Sequence, residues 1–318
     1  MEFISKIVEC NGNPTEIIMN KMMKPCSQEE LDAMSAQERE GCKYMSPLNT
    51  REYVAEEGIS CMQDVPVKMR DGITIYVDIY KPEAAGRYPL LISWSFYGKR
   101  PFDGQSEWQI MGVPPQTVSD MSKFESPDPG YWCRRGYAVA NVDPRGIGHS
   151  EGDFVQFGTQ EGRDGYDFIE WAAEQEWCNG RCALSGNSCV AMTQWRIASQ
   201  QPPHLACFAP WEGTSDLYRE SLYEGGIPAT SFVGMVNKEA VGLNYIDNTA
   251  ENAAKYPFAD CDYWKDKEPI WKNITQPVYI TACWNHFHLR GSINGFRKVK
   301  SKKKWLRVHR NFEWPDAY

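Results

Sequence analysis

The sequence predicts an α/β fold with a mostly parallel central sheet. Five short apolar runs are bounded by turn residues, as buried strands usually are. They cover residues 89–95, 137–143, 181–185, 205–209 and 277–284. Between the second and third runs, residues 161–177 place apolar side chains at helical spacing. Strands that alternate with helices favour a parallel sheet covered on both faces.

An antiparallel hairpin is expected ahead of these runs. Apolar residues alternate from Val65 to Met69 and again from Ile73 to Ile79, and the turn residues Asp71-Gly72 lie between the two stretches. Residues 1–60 are polar and weakly periodic, apart from a helix predicted over 28–39 and capped by Ser27. We therefore expect an N-terminal extension over 1–60 and a main domain over 61–318.

Residues 216–271 interrupt the alternation of strands and helices. This segment is rich in Tyr, Asn, Glu and Gly, and no strand-like run is visible in it. An irregular excursion of this length is uncommon in a compact domain. We therefore predict a mostly helical cap inserted between two strands of the sheet.

The composition excludes several functional classes. The 318 residues carry a formal net charge of −8 and have one short basic run, residues 298–304, which argues against a nucleic-acid partner. No stretch of eighteen apolar residues predicts a membrane span, and the N-terminus has no signal-peptide pattern. The 11 cysteines show no paired Cys-x-x-Cys spacing, so we expect no metal, no cofactor and reduced thiols in the cytoplasm.

The stretch RCALSGNSCVAMTQW, residues 181–195, holds the candidate nucleophile. A β-type run ends at Gly186-Asn187-Ser188, and residues that suit a helix follow. A serine on a strand-to-helix turn is the geometry of a nucleophile elbow. The usual second glycine is replaced by Val190. On spacing alone, a plain turn serine is at least as probable as a nucleophile.

Four further motifs carry a family resemblance. They are MRDGITIYVDIYKP, FYGKRP, DPRGIGHSEGDF and QQPPHLACFAPWEGTSDLYRE. Together with the elbow, they resemble the X-prolyl dipeptidyl-peptidase and cocaine-esterase-like (CocE/NonD) family of α/β-hydrolases, over roughly residues 62–318. The resemblance implies an α/β-hydrolase fold and a small-molecule ester, amide or peptide substrate.

The resemblance also implies site residues. Ser188 takes the position of the nucleophile, and Tyr97 takes that of the oxyanion tyrosine, which would act with the backbone N–H of Cys189. His309, in the context KWLRVH, matches the position of the general base. His286 and His288 also lie just past a strand and are not assigned.

The triad acid is the weak point of this assignment. It should follow the run 277–284, where the sequence has Asn285 or His286 in place of the family's Asp. Glu313 and Asp316, near His309, are possible substitutes without a geometric argument. Nine residues follow His309, whereas the family continues through a closing helix and a β-sandwich module, so we expect a chain shortened at its C-terminus.

Two functional hypotheses remain open at this stage. The first is a serine hydrolase that acts through an acyl-enzyme. The second is a degenerate, non-catalytic α/β-hydrolase-like binding protein that has lost the triad acid. The two differ in whether Ser188 reacts with a serine-directed probe.

Overall fold

A computed structural model describes residues 3–39, 42–100, 111–114, 116–229, 231–234 and 240–318. Within these ranges, nine strands form one mixed central sheet. In chain order they are β5 (Arg51–Glu56), β6 (Ile59–Lys68), β7 (Thr74–Pro82), β8 (Tyr88–Trp94), β9 (Ala138–Asp143), β10 (Cys178–Asn187), β11 (Leu205–Trp211), β15 (Val278–Cys283) and β16 (Lys304–His309). The spatial order is β16-β15-β11-β10-β8-β9-β7-β6-β5.

Six neighbouring strands of this sheet are parallel. The pairings from β9 through β8, β10, β11 and β15 to β16 all run in one direction, and β7, β6 and β5 extend the sheet in antiparallel pairing. β8 has β9 on one side and β10 on the other. The strands that follow β8 in the chain are therefore added to the sheet in opposite directions, starting from β8. In open α/β sheets, ligands bind at the carboxyl ends of the strands at such a point.

Both faces of the sheet are covered by apolar packing. Leu90 and Ile92 of β8 belong to the main core, whereas Leu91 belongs to a smaller core on the opposite face. This division follows from the two-residue period of a strand. The main core also receives Phe168 and Trp195 from two long helices.

The helices are mostly short. They include α1 (Gln28–Ala33), α2 (Ala36–Arg39), α3 (Pro129–Cys133), α4 (Thr159–Ala173), α5 (Ser188–Ser199), α6 (Thr249–Lys255), α7 (Asp262–Asp266), α8 (Leu289–Lys298) and α9 (Glu313–Ala317), with a π-helix at Tyr218–Leu222 and a 3₁₀ turn at Trp271–Asn273. Ser27 caps α1 with a full capping box, as the sequence predicts. The helix predicted over 28–39 is interrupted at Met34, where the backbone is extended.

The N-terminal residues form a hairpin of β1 (Phe3–Cys10) and β2 (Asn13–Lys21). β2 also pairs with β14 (Tyr245–Asp247), which lies within the predicted cap segment. Short pairs complete the strands: β3 (Lys24–Cys26) with β4 (Cys42–Tyr44), and β12 (Tyr223–Glu224) with β13 (Ile227–Pro228). Residues 1–60 are therefore joined to the rest of the chain by backbone pairing with β14, by a bridge between Met23 and Val241, and through the central sheet.

A second core lies beyond the carboxyl ends of the strands. Ile17 and Met19 of β2 pack there with Leu222 and Tyr263 of the 216–271 segment. Phe96, which follows β8, belongs to the same cluster, and Tyr97 and Cys189 pack against it. The 216–271 segment thus contacts the sheet edge that holds Ser188, and it contains short strands as well as short helices.

The structure confirms the predicted fold class. The five apolar runs correspond to β8, β9, β10, β11 and β15, and the predicted hairpin corresponds to β6 and β7. The predicted long helix is α4. The domain limits at residues 60, 216 and 271 stay predictions. Within the described ranges, no helix is both long and apolar enough to cross a membrane.

Candidate active site

Ser188 lies on a strained turn between β10 and α5. Its φ is 51°, a conformation that costs about 1–3 kcal/mol for most residues and recurs at functional sites. Gly186, two residues earlier, has a φ of 143°, and a Cβ there would lie 2.3 Å from Val190 Cγ1. Glycine is therefore required where the helix turns back on the strand, and Val190 is accommodated without the second glycine of the usual motif.

The imidazole of His288 faces the Ser188 hydroxyl. His288 Nε2 lies 3.2 Å from Ser188 Oγ, and His288 Nδ1 lies 2.9 Å from Thr214 Oγ1. Burial, together with the neighbouring His286, holds the pKa of His288 well below 6.5. The ring is therefore neutral at pH 7. When Nδ1–H donates to Thr214, Nε2 is free to accept the hydrogen of Ser188.

His309, the base that the sequence analysis assigns, has other partners. Its Nε2 lies 2.5 Å from Glu212 Oε1 and 3.5 Å from Asp316 Oδ2, and its Nδ1 is buried without a hydrogen bond to a described group. Burial raises the pKa of Glu212 to about 8, so this carboxyl group is protonated at pH 7 and donates to His309. Among the described residues, the imidazole hydrogen-bonded to Ser188 is that of His288.

The residues considered for the acid position do not orient His288. Asn285 is exposed, and its backbone N–H donates to Cys283 Sγ. Asp316 pairs with Arg307, and Glu313 Oε2 contacts His286 Nε2. Within the described residues, Thr214 therefore takes the place next to the Nδ1 atom of His288 where a triad acid would stand.

Two donors could stabilise an oxyanion next to Ser188. The Tyr97 hydroxyl interacts with the Cys189 thiol and the Glu125 carboxyl group, and burial raises the pKa of Tyr97 well above 10, so the phenol stays protonated. Cys189 lies in the first turn of α5, whose backbone N–H groups have no acceptor within the helix. The Asn187 side chain leaves this helix start uncapped.

Glu125 supports the turn from the other side. Its carbonyl oxygen accepts the Asn187 backbone N–H at 2.9 Å, and its side chain contacts Ser188 and Tyr97. Trp314 Nε1 donates to its Oε1 at 3.1 Å. Burial raises the pKa of Glu125 well above 4.5.

Sequence reasoning missed Thr214, Glu125 and the role of His288. Thr214 is the third residue after the end of β11, at the same sheet edge as Ser188. A search for polar residues just beyond strand ends would have found it. Glu125 belongs to a loop before α3, and its contact with Ser188 has no signal in the sequence.

Comparison with known proteins places the chain in a family. The model of the X-Pro dipeptidyl-peptidase family (S15) matches residues 71–256, more than half of the chain. The chain belongs to the S15 family. That match contains β10, the Ser188 turn and the start of the 216–271 segment.

Individual S15 relatives are similar over part of their length. A cocaine esterase from a Rhodococcus species is 33% identical over 167 residues, which are 52% of this chain and 26% of the relative. A solved CocE/NonD family hydrolase from Staphylococcus aureus is 36% identical, with a TM-score of 0.74 over 82% of this chain and 48% of that one. An acetyl xylan esterase from a Paenibacillus species shares the fold at 13% identity, with a TM-score of 0.54 over 84% of each chain.

These comparisons confirm the family and the α/β-hydrolase fold expected from the sequence. The chain spans about half the length of the S. aureus hydrolase and about a quarter of the cocaine esterase. The comparisons do not test the site residues, so Ser188, Tyr97, Cys189, His309 and Asn285 stay predictions.

Proposed function

We propose that the protein is a serine hydrolase that cleaves an ester or amide through an acyl-enzyme on Ser188. The observation that carries the proposal is the 3.2 Å contact between Ser188 Oγ and His288 Nε2 at a strained strand-to-helix turn. The S15 relatives with esterase or hydrolase names support the same reaction class. We assign the base to His288 and no longer to His309.

The proposed reaction begins with a proton transfer. His288 Nε2 takes the proton of Ser188 as Oγ bonds to the substrate carbonyl carbon, and the carbonyl oxygen becomes an oxyanion. Tyr97 O–H and the Cys189 backbone N–H donate to this oxyanion. His288 then gives its proton to the leaving alcohol or amine. Water, activated by the same imidazole, releases the acid and restores Ser188.

The low pKa of His288 predicts the pH dependence of acylation. The base works in its neutral form, so the acylation rate falls as the pH drops through the pKa of His288. Since burial places that pKa well below 6.5, the rate should stay constant down past pH 6.5 and decline only in more acidic buffer. A half-maximal rate at or above pH 6.5 would contradict this assignment.

Labelling with a fluorophosphonate probe tests the nucleophile and the base. Ser188→Ala should abolish the label on the peptide that contains residue 188. His288→Ala should slow labelling by about 10²–10⁴-fold, the usual contribution of a general base. His204→Ala is the matched control, because His204 is exposed and pairs with Glu170, and it should label at the wild-type rate.

The same series compares the two candidate bases. His309→Ala should slow labelling less than His288→Ala, since His309 contacts Glu212 and not Ser188. Labelling that survives in Ser188→Ala would refute the nucleophile. If His309→Ala slows labelling more than His288→Ala does, the general base is His309.

A non-catalytic binding protein remains the second candidate. The observation that favours it is Thr214, a neutral group in place of the acid beside His288. Replacement of the triad acid by its neutral amide can cost about 10⁴-fold in rate. A folded wild-type protein that fails to label at all would select this second candidate.

A further inference from the structure

Two histidines and a buried glutamate converge beside the proposed nucleophile. One donor atom from each of His286, His288 and Glu313 lies within 4.8 Å of the other two. His288 and Glu313 are buried, and His286 is nearly so. Two imidazoles and one carboxylate are a common donor set for Zn²⁺ and related transition metal ions.

The carboxylate of Glu313 is unusual in its surroundings. Its Oε2 contacts His286 Nε2, yet neither carboxylate oxygen has hydrogen-bond geometry to a described group, and both are buried. A buried carboxylate oxygen without a hydrogen bond is costly, and coordination of a cation removes that cost. The proposed hydrolysis does not use Glu313.

One of the two histidines has an outer partner of the kind that orients a metal ligand. His288 Nδ1 lies 2.9 Å from Thr214 Oγ1, and a metal-bound histidine usually donates its other ring N–H to such an acceptor. His286 Nδ1 accepts the His288 backbone N–H at 3.4 Å and lies 3.7 Å from Glu212 Oε2, beyond hydrogen-bond distance. Metal binding at His286 Nε2 therefore requires the tautomer with the proton on Nδ1. In both rings, Nε2 is the atom that faces Glu313 or Ser188 and is the donor to a metal.

The ligand spacing fits a metal ion after a modest side-chain movement. Zn²⁺–ligand bonds of about 2.0–2.1 Å place tetrahedral donors about 3.4 Å apart. Donor atoms at up to 4.8 Å must therefore close by an ångström or more, whereas His286 Nε2 and Glu313 Oε2, which are already in contact, must move apart. The His286 side chain is 12% exposed, more than the side chains of the other two ligands, and has the most room to rotate. With three protein ligands, a fourth position stays open.

We propose that His286, His288 and Glu313 bind a transition metal ion of the Zn²⁺ type, and that the bound ion blocks acylation of Ser188. This inhibition of acylation rests on the proposed function, because it arises when the metal ion coordinates His288 Nε2. A coordinated Nε2 has no lone pair to accept the Ser188 proton. The metal would therefore act as an inhibitor and not as a catalyst.

Cobalt substitution tests binding without any assay of hydrolysis. Titration of the metal-free protein with Co²⁺ should produce d–d absorption of nitrogen and oxygen ligation, saturating at one ion per chain. His286→Ala and the isosteric Glu313→Gln should each weaken this binding at least tenfold. His204→Ala should bind like wild type. A thiolate-to-cobalt charge-transfer band would instead indicate binding at one of the cysteines.

Fluorophosphonate labelling with and without Zn²⁺ tests the block. Wild type and His204→Ala should label at least tenfold more slowly with saturating Zn²⁺, whereas in Glu313→Gln the two rates should agree within about twofold. Absence of the cobalt spectrum in wild type would overturn the metal site. A cobalt spectrum with unchanged labelling would overturn the block. Failure of the metal-free protein to label would refute the hydrolase proposal and leave the cobalt result standing.

Discussion

At the scale of single residues, the site depends on a hydrogen bond to a neutral hydroxyl. Thr214 is fully buried and bonds to His288 Nδ1, and when its Oγ1 accepts from Nδ1–H, Nε2 is free for Ser188. Unlike an aspartate, Thr214 does not stabilise the imidazolium that forms during acylation. The arrangement therefore supports proton transfer with weaker electrostatic assistance.

Replacing Thr214 by Val measures this contribution. Thr214→Val keeps the side-chain volume and removes the hydrogen bond, whose net worth of about 1 kcal/mol corresponds to a roughly fivefold slower acylation, or more if the wrong tautomer dominates. The readout is the rate of fluorophosphonate labelling. Thr281→Val is the control, because Thr281 is equally buried and its hydroxyl has no hydrogen bond to a described group. Equal labelling rates in the two variants would show that Thr214 does not orient His288.

The residue scale is also where sequence reasoning reached its limit. Ser188 could be identified because the strand, the glycine and the helix that position it are contiguous in the chain. His288 could not, because its contact with Ser188 joins residues 100 positions apart and depends on how the loop after β15 folds back. The family's chain order pointed instead to His309, whose carboxyl partner Glu212 lies on a different strand end.

At the scale of elements, the junction of β10 and α5 sets the position of the nucleophile. The strand and the helix approach so closely at Gly186 that an added Cβ would meet Val190 Cγ1 at 2.3 Å and the Glu125 carbonyl oxygen at 2.7 Å. The second contact involves backbone and cannot be relieved by a rotamer change. The apolar run of the strand and the helix-suited residues after Ser188 predicted both elements, but they contain no information about this contact.

Gly186→Ala should therefore destabilise the fold and displace Ser188. We expect a loss of about 3 kcal/mol or more in the free energy of unfolding, measured with urea, since both strain and overpacking contribute. Gly58→Ala is the matched control, with a φ of 81° and no atom within 4 Å of the added Cβ, so it carries the backbone strain alone. A loss in Gly186→Ala no larger than that in Gly58→Ala would show that the junction tolerates a side chain.

At the scale of the whole molecule, the N-terminal hairpin and the 216–271 segment form one unit over the sheet edge. The sequence pattern predicts residues 1–60 as an extension and the 216–271 segment as a separate insertion. Their pairing through β2 and β14 was not predictable, because β14 has three residues and no alternating pattern. Long-range strand pairs of this kind depend on tertiary contacts more than on local propensity.

A buried ion pair connects β14, which pairs with the N-terminal hairpin, to the loop before α4. Asp247, on β14, is fully buried; its Oδ2 lies 2.5 Å from Lys267 Nζ, and its Oδ1 accepts from Tyr263 O–H at 2.9 Å. Lys267 Nζ also donates to the backbone oxygen of Gln156 at 2.6 Å, in the loop before α4. Removal of one charge leaves the other buried without its counter-ion.

Asp247→Asn should consequently loosen the hairpin and the 216–271 segment together. We expect the free energy of unfolding to fall by about 3–5 kcal/mol, the usual cost of breaking a buried pair. Amide hydrogen exchange should accelerate in both β2 and β14, because the two strands hydrogen-bond to each other. Asp260→Asn is the control, because its pair with Lys265 is exposed and contributes little to stability. If exchange accelerates in β14 while β2 keeps its protection, the hairpin does not depend on the 216–271 segment. The two parts then do not form one cooperative unit.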